Sequence, residues 1–358
     1  MAINGILKTH FAMMKTLYIA VHTNTLVHIF LLGFVGFLLA MVLTPLFTHY
    51  AFKHEWWKKQ RTAALGGASA AVYQKLHAAK HKRNVPNMAG MIFIVAITLV
   101  TFFGNLNRGQ TWLPLAGLLA AGLIGLIDDA MNIRGTSSIA GMRAPVKFGL
   151  YSLVLLVGGW WFYSKIGVTD IYLPYIHHLH IGVLIIAVFW FIVIATANSV
   201  NITDGLDGLA GGLLTSSFSA YALISVIEGK YALAAFCLTI VGTLLSYTWF
   251  NIYPARFFMG DVGSFALGTA LGIIAMQTDT IYVLPIIGAV YVMETGSVII
   301  NRTSKKLRRG KKVFLSSPIH HHFEAIGWPE TKVTMRFWIL GQVASVLGLI
   351  IFLIGRGN

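Results

Sequence analysis

Apolar residues run along this chain in long unbroken blocks separated by short polar breaks. Ten blocks stand out, at about residues 24–48, 87–104, 111–130, 146–164, 181–199, 205–226, 232–250, 262–277, 281–300 and 333–354. Within them apolar positions follow one another instead of alternating. That pattern predicts helices and argues against a β-barrel, whose strands alternate. Most blocks reach the roughly 17–25 residues that a helix needs to cross about 30 Å of hydrocarbon. The sixth is rich in glycine and the eighth is short. The predicted class is all-α: a polytopic integral membrane protein of about ten transmembrane helices, forming one domain over residues 1–358. Residues 1–23 lack the compact apolar core and cleavage site of a signal peptide, and are expected to lie along the membrane surface.

Composition agrees. The chain is 56% hydrophobic and 11% charged, with a mean hydropathy of +0.73. A water-soluble domain of this size does not carry so much apolar sequence. The single cysteine, Cys237, lies inside an apolar block, which excludes a disulfide framework and predicts a buried thiol.

Charge adds direction. The net charge is +15, with 27 Lys and Arg. If the N-terminus is outside, 20 of the 27 fall in the inner loops, mostly in 49–86 and 301–332, and six fall outside. That asymmetry predicts both termini outside (periplasmic) and the two basic loops in the cytoplasm. It also removes nucleic acid as the reason for the positive charge. The acids follow the same side: Asp128, Asp129, Asp204, Asp207 and Asp261 all fall at inner ends of the predicted spans. Carboxylates and cations on one membrane face suit a divalent metal together with a polyanion.

Four stretches carry the candidate chemistry. In VNITDGLDGLAGG (200–212), Asn201, Asp204 and Asp207 step by three after Asn198, so a helix would turn them toward one broad face. The other role for the two aspartates is to cap the sixth span. In GLIDDAMN (125–132), Asp128 and Asp129 close a span at its C-terminal end, where the helix dipole disfavours negative charge, so a hard cation is the better account. In FNIYPARFFMGDVGSFALG (250–268), Asp261 either caps the eighth span or joins the other acids. Phe257 and Phe258 beside it either pack or offer a ring to a base. In SSPIHHHFEAIGW (316–328), His320, His321 and His322 follow the basic run KKLRRGKKV (305–313). Consecutive side chains diverge, so phosphate positioning fits them better than a shared zinc. HHLH (177–180) reads as an outer surface segment without nearby carboxylates. Glu294, inside the ninth span, predicts a break or a polar partner.

Taken together, NSVNITDGLDGLAGG, IGLIDD, FNIYPARFFMGDVGS and SPIHHHFE resemble, in this order, the motifs of the polyprenyl-phosphate N-acetylhexosamine-1-phosphate transferases. Over about residues 77–340 the chain is similar to the phospho-N-acetylmuramoyl-pentapeptide transferase branch, and HHHFE is the most specific of its motifs. The resemblance implies ten spans with the active site at the cytoplasmic face of a bacterial inner membrane. It implies transfer of phospho-MurNAc-pentapeptide from UDP-MurNAc-pentapeptide to undecaprenyl phosphate, giving lipid I and UMP in peptidoglycan synthesis, and a possible homodimer. It implies Mg2+ held chiefly by Asp261 with Asp128 and Asp129 close by, and catalytic roles for these three with Lys82 and His321. It implies substrate contacts from Asn201, Asp204, Asp207, Asn251, Phe258, Lys147, His320 and His322. The nearest alternative is the same chemistry on another N-acetylhexosamine, such as GlcNAc.

The sequence departs from the family pattern in places. VPNMAG (85–90) lacks both threonines and one glycine of a family signature, and Asn132 stands where the family tends to have lysine. Lys147 meets the next family lysine after a one-residue insertion. A secondary transporter is the rival of another class. Its sites sit near the midplane between repeated halves, whereas here the acids gather at one face and no internal repeat is visible.

Overall fold

The computed structural model describes residues 2–57, 84–135, 141–174 and 177–357, with the side chains of 2–22 and 357 left aside. The described residues form helices almost throughout. They are α1 (Ala2–Lys53), α2 (Gly90–Gly104), α3 (Trp112–Arg134), α4 (Ala144–Trp161), α5 (Ile185–Thr203), α6 (Leu209–Ile227), α7 (Tyr231–Asn251), α8 (Gly260–Gln277), the single turn α9 (Leu284–Ile287), α10 (Ala289–Leu307), the short α11 (Ile319–Ala325) and α12 (Glu330–Gly357). Among the described residues seven helices are long and apolar enough to cross a membrane: α1 from Thr23, α3, α4 with its following π turn, α5, α6, α7 and α12.

All ten apolar blocks fall on helix, with three qualifications. α2 is a shorter apolar helix. The 281–300 block is not one helix, since it breaks at Gly288 between α9 and α10. α10 then runs on to Leu307, into what the charge pattern marked as loop. Its inner face is polar, with Glu294, Ser297, Asn301 and Ser304 buried. The sixth block begins later than expected, at Leu209. The basic 301–332 stretch is also ordered in part, because α11 lies within it.

The 164–181 connection holds an element that the apolar pattern did not suggest. Strands β1 (Asp170–Leu173) and β2 (His177–His180) pair antiparallel, with Asp170 opposite His180. The HHLH residues are β2, and they are exposed. Contrary to the expectation from sequence, a carboxylate is near. Asp170 Oδ1 meets His180 Nδ1 at 2.5 Å, and this imidazole holds the exposed Asp170 carboxyl below its usual range.

α8 is the hub. It is buried along nearly its whole length and packs chiefly on α3 and α5. Between membrane helices, association rests on close van der Waals packing rather than on exclusion of water, so small residues mark the contacts. A Cβ added at Gly268 would lie 2.7 Å from Cα of Ala197. At Gly125 it would collide with the carbonyl of Asp261. The α3–α8 contact therefore seats the end of α3, with its two aspartates, directly against the start of α8.

Candidate active site

Residues from four helix ends meet in one hydrogen-bonded run. Asp128, in the last turns of α3, accepts from the backbone N–H of Met142 at 2.6 Å and from Lys147 Nζ at 3.1 Å. Lys147, in the first turn of α4, also donates to Asp261 Oδ2 in a very short contact. Asp261, in the first turn of α8, accepts at Oδ1 from Asn201 Nδ2 at 2.9 Å, and the same amide reaches Ser264 Oγ at 2.9 Å. The Lys147 ammonium also sits 4.5 Å from the centre of the Phe265 ring. One cation is thus shared by two carboxylates beside an aromatic face.

The paired aspartates divide their work. Neighbours on a helix are turned about 100° from each other, so one of them must face away. Asp129 is fully buried. It accepts from Asn87 Nδ2 at 2.8 Å and from the backbone N–H of Val262 at 3.1 Å. The dipole of α3 disfavours both carboxylates, but a second helix offsets it for Asp129. Asp129 lies at the positive N-terminus of α8 and satisfies one of its open amides. The N-cap of α8 is Met259 and Asp261 lies inside the first turn, so it is not the cap residue, and its carboxylate joins the lysine-bridged run. Asp204 and Asp207 do not cap α6 either, whose N-cap is Gly208.

Asn87 belongs to VPNMAG, the stretch that departs from the family pattern. This segment runs alongside residues 258–259. Phe258 N–H donates to Pro86 O at 2.8 Å, and Ala89 N–H donates to Phe258 O at 3.0 Å. Asn132 Nδ2 donates to the backbone carbonyl of Asp128 at 3.0 Å and to its Oδ2 at 3.3 Å, so this departure puts an amide, not a second lysine, beside the carboxylate.

The glycine loop after α5 is bound on both sides. Asp207 Oδ2 accepts from Ala255 N–H at 2.9 Å, and Asn251 Oδ1 accepts from Gly208 N–H at 2.9 Å. Asn251 Nδ2 donates to Phe257 O at 2.8 Å. From α12, Glu330 accepts the N–H of Asp207 at 2.7 Å, and Trp338 Nε1 donates to Gly208 O at 3.1 Å. Asp207 and Asn251 therefore hold loops together. The expected consequence is a fold effect: Asp207→Ala should lower the melting temperature in detergent by several degrees, through roughly 1–3 kcal/mol for a buried partner left unpaired. An unchanged melting point with weakened nucleotide binding would instead make Asp207 a ligand contact. Phe257 is packing, wedged among Phe47, Tyr247 and Phe250. Phe258 is only half-buried.

The three histidines take separate partners, although the His320 and His321 rings pack edge-on with their centres 4.1 Å apart. His320 is buried with its Nδ1 2.9 Å from Glu294 Oε2, so Glu294 does have a polar partner. His321 Nδ1 lies 2.7 Å from Glu324 Oε2. His322 Nδ1 accepts from Leu315 N–H at 3.3 Å, which assigns its proton to Nε2. The His320 ring lies directly against Gly205, leaving no room for a Cβ there. Lys82 lies outside the described residues.

Among the described residues no three His, Cys, Asp or Glu side chains form a ready metal cage. The donor chemistry still fits a hard cation. Asp128 and Asp261 already converge on one positive charge and both offer oxygen. These two are the residues that would hold Mg2+, while Asp129 faces Asn87 and α8.

Known proteins are similar to this sequence over most of its length. A family model described as glycosyl transferase family 4 matches residues 111–279. The phospho-N-acetylmuramoyl-pentapeptide-transferase of Chloroflexus aggregans is 34% identical over 349 residues, covering 94% of this chain and 92% of its own. That of Clostridium novyi is 38% identical over 275 residues, covering 76% of this chain and 84% of its own. That of Francisella philomiragia is 36% identical over 293 residues, with 75% and 80% covered. The chain belongs to the phospho-N-acetylmuramoyl-pentapeptide-transferase family. Residues 111–279 hold the whole run from Asp128 through Lys147 and Asn201 to Asp261, but not the histidine segment. The match to the Chloroflexus relative, at 94% of this chain, must take in part of that segment as well.

Sequence reading missed Asn87, Ser264, Glu330 and Trp338. Each is a common polar or aromatic type whose role comes from a partner far away in sequence. Only Asn87 had a signal, its place in a stretch that departs from the family pattern.

Proposed function

We propose that this chain transfers phospho-MurNAc-pentapeptide from UDP-MurNAc-pentapeptide to undecaprenyl phosphate, releasing UMP and leaving lipid I. We propose further that it spans the bacterial cytoplasmic membrane ten times, with both termini outside and the reacting face inside. The distribution of Lys and Arg supports that orientation. The observation that carries the reading is the run Asp128–Lys147–Asp261–Asn201 drawn from four helix ends. A soluble charged nucleotide and a lipid phosphate can meet only at an interface, which is where such helix ends lie.

Phosphoryl transfer depends on positioning and charge neutralisation more than on covalent help from the protein. Mg2+, when bound, would neutralise oxygens of the transferring phosphoryl group. Asp128 and Asp261 would hold it. Lys147 is placed to leave one carboxylate for a pyrophosphate oxygen, and the Asn201 amide keeps Asp261 oriented. Lys82, His321 and His322 are proposed for the pyrophosphate and sugar, with Asp204 and Phe258 at the uridine. Asp207, Asn251 and His320 shape that subsite from behind. A lipid phosphate is largely ionised near neutral pH, so no strong base is needed.

A two-substrate assay tests this. UMP and a lipid-linked sugar should appear only with both substrates and Mg2+ present, and EDTA should abolish both. Release of UMP without the lipid acceptor, or turnover unaffected by EDTA, would contradict the reading. Preference for UDP-GlcNAc would move the enzyme to the alternative sugar.

A further inference from the structure

An open cavity at the last turns of α1 is lined by none of the residues assigned to this reaction. It has a volume of about 500 Å3 and is lined by Pro45, Thr48, His49, Phe52, Lys53 and Arg256. The five α1 residues recur at steps of three and four, so they form one face over the last turns of that helix. Arg256 comes from the α7–α8 connection. α1 packs chiefly on α7 and α2, whereas the carboxylates and Lys147 are carried by α3, α4 and α8.

Two permanent cations and an imidazole thus share one opening. Lys53, Arg256 and His49 are exposed, and none of the ion pairs among the described residues involves them. Like charges gathered in this way favour an anion between them. Arginine and lysine together suit the oxygens of a phosphate. The surface leading to the cavity is apolar. Leu38, Val42 and Leu46, each four residues from the next along α1, are 45%, 71% and 56% exposed. A ligand that matches both parts has a phosphate head and a hydrocarbon tail. We propose that this cavity binds the phosphodiester headgroup of an anionic membrane phospholipid, with an acyl chain lying along Leu46, Val42 and Leu38. The site needs none of the reacting residues, so it stands or falls apart from the transferase reading. Positive charge beside a span binds anionic lipid in general, and the cavity makes that attraction site-specific.

Native mass spectrometry of the full chain in detergent, with short-chain phosphatidylglycerol or phosphatidylcholine added, tests it. The wild type should retain one phosphatidylglycerol in preference to phosphatidylcholine. The double variant Lys53→Gln/Arg256→Gln should weaken that binding at least about tenfold, and Lys53→Arg/Arg256→Lys should keep it. Unchanged melting temperature and UMP release would certify the fold of both variants. Equal retention of the two lipids, or unaltered binding in the Gln variant, would overturn the proposal. Displacement of the lipid by equimolar inorganic phosphate would reassign the cavity to a free anion. A raised KM for polyprenyl phosphate in the Gln variant would assign it to the acceptor. Either result also rejects the proposal.

Discussion

Asp261→Asn is expected to slow transfer by at least about a thousandfold, roughly 4 kcal/mol of barrier, in a protein that still folds. The substitution keeps the shape of the side chain and removes its charge. Asn201 can still hydrogen-bond the remaining carbonyl oxygen, and Lys147 keeps Asp128 at 3.1 Å, so no buried partner is stranded. What goes is one of the two carboxylates that converge on a single cation. In phosphoryl transfer that kind of electrostatic positioning carries most of the rate. Asp129→Asn is the informative contrast. Its carboxylate accepts from Asn87 and from an open amide of α8, so an amide there turns a donor toward a donor. It should cost stability first, seen as a lower melting temperature, with activity following the folded fraction. Single-turnover rates in saturating Mg2+, measured beside thermal melts, separate the two. Near wild-type turnover in Asp261→Asn would remove this residue from the proposed metal site. A melting loss as large as that of Asp129→Asn would make it structural.

That contrast also marks where sequence reading stops. The apolar blocks were readable because a membrane span has one dominant requirement, an apolar surface of fixed length, and composition alone reports it. The motif acids were readable as a group because charge at a helix end inside a membrane protein needs a reason. Their separate duties were not. Whether Asp129 caps α8 or faces Lys147 depends on how α3 rotates against α8, and that is decided by the missing side chain at Gly125 and the close approach it permits. The β1–β2 hairpin escaped for a related reason, since four-residue strands leave too short a pattern to recognise. The break in the 281–300 block had a signal in Pro285 and Gly288, but both residues are tolerated within membrane helices, so the signal did not compel a break. The sequence marks Glu294 for a break or a polar partner and His320 for chemistry. That each answers the other follows only from the fold.

Gly205→Ala should disable the enzyme although it adds only one methyl group. A Cβ at this position would lie 2.7 Å from Cε1 of His320 and closer still to Nε2. Overpacking is cheap when the neighbour is the free end of a flexible chain. Here it is a ring fixed from its other side, with Nδ1 held by Glu294 at 2.9 Å and both side chains buried. The ring cannot retreat without breaking that pair, so the loop carrying Asp204 and Asp207 must move instead. The expected cost is about 1–3 kcal/mol of stability, together with a loss of nucleotide affinity larger than the stability loss explains. A double-mutant cycle isolates the cause. His320→Ala removes the obstruction, so Gly205→Ala should cost much less stability in that background than in the wild type, with coupling of roughly 0.5–3 kcal/mol. Purely additive effects would mean that the two residues do not press on each other. The glycine would then be required for some other reason, such as close approach of substrate to the backbone.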